Sequence, residues 1–292
     1  MKGLHLSLLI LLLASGDIIA QTPCENGFSE IYPCDEYEFY SFLPLEEVGG
    51  GEKGNDCWGW VDDVSGREFV LYGRTNGMAV VEISDPESPI YLAEVPPNAL
   101  SAIWRDIKVI GNHAFIVSDV EGHGMQVLEL TQLLNIEDFV PDLPLVTIYE
   151  GFGSAHNIVA NTETDYVYGV GTDTFGGGLH AVDVSDPTQP EIAGSLEGFD
   201  IHDAQAVIYS GLDTDYLGSE IVFCYAGDNV AIVNATDKSD MQLVSSTLIP
   251  FSEYIHQGWV SEDHRFLYVN DELDEINTGV ITRTSIIDLE DL

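Results

Sequence analysis

The chain repeats itself, and self-similarity at a fixed spacing limits its architecture more than any single motif does. Residues 77–95, GMAVVEISDPESPIYLAEV, return as 178–196, GLHAVDVSDPTQPEIAGSL. Each copy holds an alternating apolar run, a Ser-Asp-Pro-x-x-Pro turn that cannot continue a hydrogen-bonded ladder, and a second short run. That pattern describes two antiparallel strands of one small sheet. Weaker copies at 124–130, 229–237 and 279–292 share a Gly or Asn start, an apolar strand and an acidic end. Another pair of β-rich runs lies upstream of each copy, such as 58–64 with 68–72 and 104–110 with 113–118. Each unit therefore reads as four strands. A spacing of roughly 50 residues fits four-stranded blades set radially and is too long for a hexapeptide β-helix. The expected fold is all-β: a β-propeller of four-stranded blades, five of them visible. The best helical signal is the short stretch 132–139, inside a connection between strands.

The repeat runs through almost all of the chain, so the expectation is one domain behind a processed leader. Met1-Lys2, the apolar run 4–14 and a more polar stretch reaching Ala20-Gln21 read as a secretory signal peptide over residues 1–20. The apolar run is too short to span a membrane, and no later segment is long and apolar enough. A disulfide-containing segment is expected over 21–36 and the propeller over 37–292. Export permits disulfides, and Cys24 and Cys34 flank a short Pro-containing stretch and form the favoured bridge. Cys57 and Cys224 lie on separate blades and read as buried thiols, with their pairing open. No Cys-x-x-Cys is present, which removes that redox motif and a Cys-rich zinc site.

With 50 acidic and 9 basic residues, the net charge of −41 opposes nucleic acid and anionic lipid, both of which need a basic footprint. Such an excess keeps a protein soluble at high ionic strength and supplies carboxylates for hard cations. A saline habitat or calcium binding could each explain it, and a solvated acidic surface with no specific ligand is the simpler account.

In a propeller the starts of the innermost strands meet on one face. Aligning them sets Cys57-Trp58-Gly59-Trp60 against Trp104-Arg105-Asp106-Ile107, Ala155-His156-Asn157-Ile158, Ile201-His202-Asp203-Ala204 and Ile255-His256-Gln257-Gly258. The steps from 105 to 156, 202 and 256 are 51, 46 and 54 residues, one blade each. Radial blades would bring these side chains to the upper mouth of a central channel. His156, His202 and His256, with Asp203 or Asp106, are candidate ligands for a divalent metal, zinc or calcium. The same groups could position a hydrolytic water. Arg105, Asn157, Gln257 and His123 are candidate contacts for another ligand. Alternatively the polar groups satisfy neighbouring backbone and water and close the channel.

Loops between second and third strands should rim the same mouth: 119–124 (DVEGHG), 171–178 (GTDTFGGG) and 270–279 (NDELDEINTG). Asp271, Glu272, Asp274 and Glu275 are a weak calcium candidate, because they lack the alternating oxygens and Gly turn of an EF-hand. A solvated acidic loop is the simpler account. The Ser-Asp-Pro turns at 84–86 and 185–187 fall on the opposite face and read as structural. The glycine-rich 49–51 and 176–178 lack the following Lys-Ser or Lys-Thr of a phosphate loop. Trp58, Trp60, Trp104 and Trp259 read as blade-to-blade packing. Neither a Gly-x-Ser-x-Gly elbow nor a His-Glu-x-x-His motif is present.

At NDCWGW (55–60), GRTNGMAVVEISDP (73–86), HGMQVLEL (123–130), GGLHAVDVSDP (177–187), IHDAQAV (201–207) and EDHRFLYVNDELDE (262–275) the chain resembles the choice-of-anchor B family of exported bacterial proteins. The copies ending in Val-Val-Glu-Ile-Ser-Asp or Ala-Val-Asp-Val-Ser-Asp are similar to LVIVD repeats, propeller units of unassigned biochemical role. The resemblance covers roughly residues 37–292 and implies a secreted or surface-displayed propeller, in a family whose members carry different C-terminal anchors. It transfers no catalytic set. IIDLEDL, at 286–292, matches the third strand of a unit. The run 38–45 could then supply the outer strand and close five blades; otherwise the chain is a fragment of a larger ring.

The function expected from these residues is a monomeric, exported scaffold that binds a surface protein or glycan, with a metal as an added feature of the mouth. An enzyme is the less favoured class. In that alternative, a metal-dependent hydrolase or lyase works through His156, His202 and His256.

Overall fold

The structure is a computed structural model that describes residues 23–29, 31–35, 37 and 39–292. The leader assigned to 1–20 lies outside the described residues. The described residues form two compact units, one of those up to Phe42 together with 85–88 and one of 43–84 with 89–292. In the first, β1 (Phe28–Ser29) pairs with β2 (Tyr32–Pro33) and a disulfide joins Cys24 to Cys34.

The second unit holds the blades. Strands β3 (Gly54–Val61), β4 (Glu68–Arg74), β5 (Gly77–Glu82) and β6 (Ile90–Val95) form the first as an antiparallel meander. The second is β7 (Arg105–Ile110), β8 (His113–Ser118), β9 (Met125–Glu129) and β10 (Thr147–Tyr149). The third is β11 (Asn157–Asn161), β12 (Tyr166–Val170), β13 (Leu179–Asp183) and β14 (Glu191–Leu196). The fourth is β15 (Asp203–Ile208), β16 (Glu220–Ala226), β17 (Asn229–Asn234) and β18 (Gln242–Leu248). The fifth has three strands, β19 (Ile255–Val260), β20 (Phe266–Asp271) and β21 (Thr284–Asp288). Each inner strand lies beside the next, from β3 through β7, β11 and β15 to β19.

Alternation explains the packing. In β4, Phe69 and Leu71 point one way and join Trp60, Met78, Val80, Ile107 and Ile116 in the core between the first two blades. Ala79 and Val81 point the other way, where Val48, Leu43 and Leu45 cover them. Further apolar clusters fill the spaces from β8 to β12, from β12 to β17 and from β16 to β20.

Three expectations differ from the structure. Of the run 38–45, residues 43–45 belong to the second unit, where Leu43 and Leu45 pack with Val48 against β5 of the first blade and not beside β21, and a 3₁₀ turn spans Leu45–Val48. Glu38 lies outside the described residues. Helix also covers only the first half of 132–139, as a 3₁₀ turn over Leu130–Asn135, and α1 (Asp274–Thr278) lies in the last strand connection. Beyond that 3₁₀ turn the chain crosses to β6, where Val140 exchanges backbone hydrogen bonds with Leu92 and Glu94 and covers an otherwise open edge. Finally, Cys224 is buried but Cys57 is exposed, because the outward face of β3 has no neighbour strand layer over it.

A polar and aromatic cleft where the inner strands begin

The five inner strands start at one cleft of about 360 Å³. Residues of all five line it, among them Asp56, Trp58, Trp104, Asp106, Lys108, His156, His202, Asp203, His256, Gln257 and Trp259. The antiparallel meander dictates this convergence, because every inner strand runs in the same sense relative to the mouth.

His156, His202 and His256 stand side by side on successive blades, with ring centroids 4.2 and 4.3 Å apart. The indole of Trp104 extends the row, 6.4 Å from His156. Each imidazole is tied individually. His156 Nδ1 lies 3.0 Å from Asp119 Oδ1, an interaction that raises the imidazole pKa. His202 Nδ1 lies 2.9 Å from the His256 carbonyl, which can only accept, so Nδ1 carries the proton. Burial and the two flanking imidazoles pull the His202 pKa down to about 4, leaving it neutral near pH 7. His256 Nε2 is 3.6 Å from Glu272. The rings are tilted against one another, at 55° and 40°, with their nitrogens engaged in different directions. Among the described residues no group of three His, Cys, Asp or Glu side chains is placed to hold a metal ion.

Beneath the imidazoles lie three carboxylates and an ammonium. Asp106 accepts from the Ile158 amide at 2.8 Å and from Lys108 Nζ at 2.5 Å, and Lys108 is 3.7 Å from Asp56. The same ammonium sits 4.7 Å from the centre of the Trp58 ring. Burial, and then Asp106, push Asp56 up to about 7; burial and Asp106 push Asp203 to about 7 as well. Burial works against the Lys108 charge, but Asp106 and Asp56 outweigh it and raise its pKa.

The alignment of the first blade requires correction. Asp56 accepts from the Ile107 amide just as Asp106 accepts from Ile158, and the Arg105 amide donates to Asn55 at 2.6 Å. Asn55 and Asp56, not Trp58 and Gly59, are the partners of Arg105 and Asp106. A register shift in β3 between Gly54 and Cys57 hides the match. Asp56 and Lys108 were thus missed; Lys108 sits two residues past Asp106, so it points back to the same face.

Of the other candidates, Arg105, Asn157 and Gln257 line the cleft and His123 does not. The Arg105 guanidinium is buried, donating to the Arg74 carbonyl and lying 2.9 Å from His123 Nε2. His123 is fully buried and does not join the imidazole row; its pKa falls to about 4 through burial. Asn157 donates to the His202 carbonyl, whereas Gln257 is exposed at the rim. In the acidic loop, Asp271 accepts from Ser252 Oγ and from the amides of Glu253, Tyr254, Leu273 and Asp274. Burial opposes its charge, yet those donors bring its pKa down to about 2. Asp274 is paired with Arg283 at 2.8 Å, while Glu272 and Glu275 are exposed and Glu272 faces His256. Asp271 and Asp274 hold the loop together through separate partners. The tryptophans also divide: Trp60 is core, while Trp104 and Trp259 are 51% and 59% exposed.

Residues 70–95 and 153–197 match the LVIVD repeat. No curated protein matches the chain. Among solved structures, the chain is similar to hydrazine synthase of Kuenenia stuttgartiensis, at 9% identity and a TM-score of 0.51, over 75% of this chain and 59% of that one. It is also similar to the β-propeller domain of Cps50 (Swd1) from Myceliophteria thermophila, at 12% identity and a TM-score of 0.45, over 70% and 59%. The chain thus spans 59% of the length of each. At these identities the likeness concerns fold alone. Blade topology and repeat match together define a β-propeller carrying LVIVD repeats.

Proposed function

We propose that the protein is an exported, non-enzymatic binding scaffold of the choice-of-anchor B type, which presents the cleft to a protein or glycan at the cell surface. The carrying observation is that five blades deliver exposed aromatic and polar side chains to one open cleft on a rigid frame. Labelled protein should be retained on envelope material of the cells that export it. His256→Ala with Gln257→Ala should cut retention about tenfold, a loss of ~1.4 kcal/mol, while Gln189→Ala on the opposite face leaves it unchanged. Retention that ignores the cleft substitutions would place the binding surface elsewhere.

A second reading, hydrolase or lyase, is favoured by the two carboxyls held near 7 in the cleft, Asp56 and Asp203, which suit acid–base chemistry. Zinc or calcium at His156, His202 and His256 has less behind it, since one nitrogen of each imidazole is engaged with a separate partner, Asp119, the His256 carbonyl and Glu272.

A further inference from the structure

We propose that the cleft is a carbohydrate site, taking a neutral oligosaccharide chain laid along the row that runs from Trp104 through the three imidazoles, with Trp259 as a second stacking surface. This rests on the reading of the cleft as a binding surface and narrows it to one chemical class.

Indoles are seldom left more than half in water, yet both Trp104 and Trp259 are, on the walls of one polar cleft. A ligand that suits them has flat apolar faces and a hydrogen-bonding edge, as a pyranose ring does. The row offers that edge partners of both kinds. His202, neutral with its proton on Nδ1, leaves Nε2 as an acceptor. His156, with Nδ1 on Asp119, has Nε2 left to donate when protonated. A hydroxyl both donates and accepts, so it can meet either. The row crosses four blades, a length that fits a chain of sugar rings better than one.

Charge removes the competing classes. An anion would face Asp56, Asp106 and Asp203, in a protein of net charge −41. A cation would find its place taken, because Lys108 already lies against Asp106, Asp56 and the Trp58 face.

The test is titration of the wild-type protein with cellohexaose, chitohexaose, maltohexaose and laminarihexaose, followed by indole fluorescence, with 1,5-diaminopentane and inorganic phosphate as charged controls. At least one hexaose should saturate the signal. Trp104→Ala and Trp259→Ala should each weaken that binding about tenfold or more, with melting temperature unchanged, since both side chains are largely exposed. Saturation by the diamine or phosphate alone, by no hexaose, or by a hexaose indifferent to both substitutions would overturn the proposal. If hexaoses fail while cleft-dependent retention on envelope material persists, the ligand class is wrong and the binding surface stands. If both fail, the surface itself is misplaced.

Discussion

Asp203 concentrates the electrostatics of the cleft. Its folded pKa of about 7 lies well above the ~3.9 of an unfolded aspartate. The native state then holds this proton more tightly, so the group's contribution to stability is complete below pH ~4 and is lost as pH rises through 7. Asp203→Asn cannot lose a proton. Its melting temperature relative to the parent should therefore climb between pH 5 and pH 8, by about 3 °C or more if the relief is ~1 kcal/mol. A constant or shrinking difference would mean that Asp203 titrates as an ordinary surface carboxyl. Sequence placed Asp203 at the mouth, because residue spacing follows the blade. It could not show that Arg105 turns inward to Arg74 and His123, since strand position fixes where a side chain starts and local partners decide where it ends.

At the scale of elements, the repeated glycine has a steric cause. A Cβ at Gly77, Gly124 or Gly178 would stand 2.3, 2.5 or 2.1 Å from the carbonyl of Val95, Tyr149 or Leu196 on the neighbouring outer strand. The fourth blade has Asn229 at this point, opposite Leu248. Gly178→Ala should destabilise by about 1–3 kcal/mol, the usual cost of forcing atoms into a filled site, and denaturant unfolding would show it as a lower midpoint with unchanged slope. Unaltered stability would mean that the two strands separate without cost. The strands were legible because their alternation and turn residues act locally. The bulge in β3 was not: it adds residues without changing the apolar pattern, so the first blade's true partner of Asp106 stayed hidden.

For the whole molecule, the meander of each blade follows directly from the repeat, whereas ring closure depends on contacts between residues far apart in sequence. On the fifth blade Trp259, Tyr268 and Ile286 form a cross-strand row, all exposed. That exposure is why a rule assigning tryptophans to blade packing held for Trp60 and failed for Trp259. Repeat alignment did foresee the histidines, since equivalent positions on adjacent blades must be neighbours. Everything proposed for the cleft depends on that adjacency. Nuclear Overhauser contacts between imidazole ring protons measure it directly: His156 should show them to His202, and His202 to His256, at centroid separations of 4.2 and 4.3 Å, with none from this row to His123. Absence of both contacts in the folded protein would contradict the blade arrangement and remove the cleft with it.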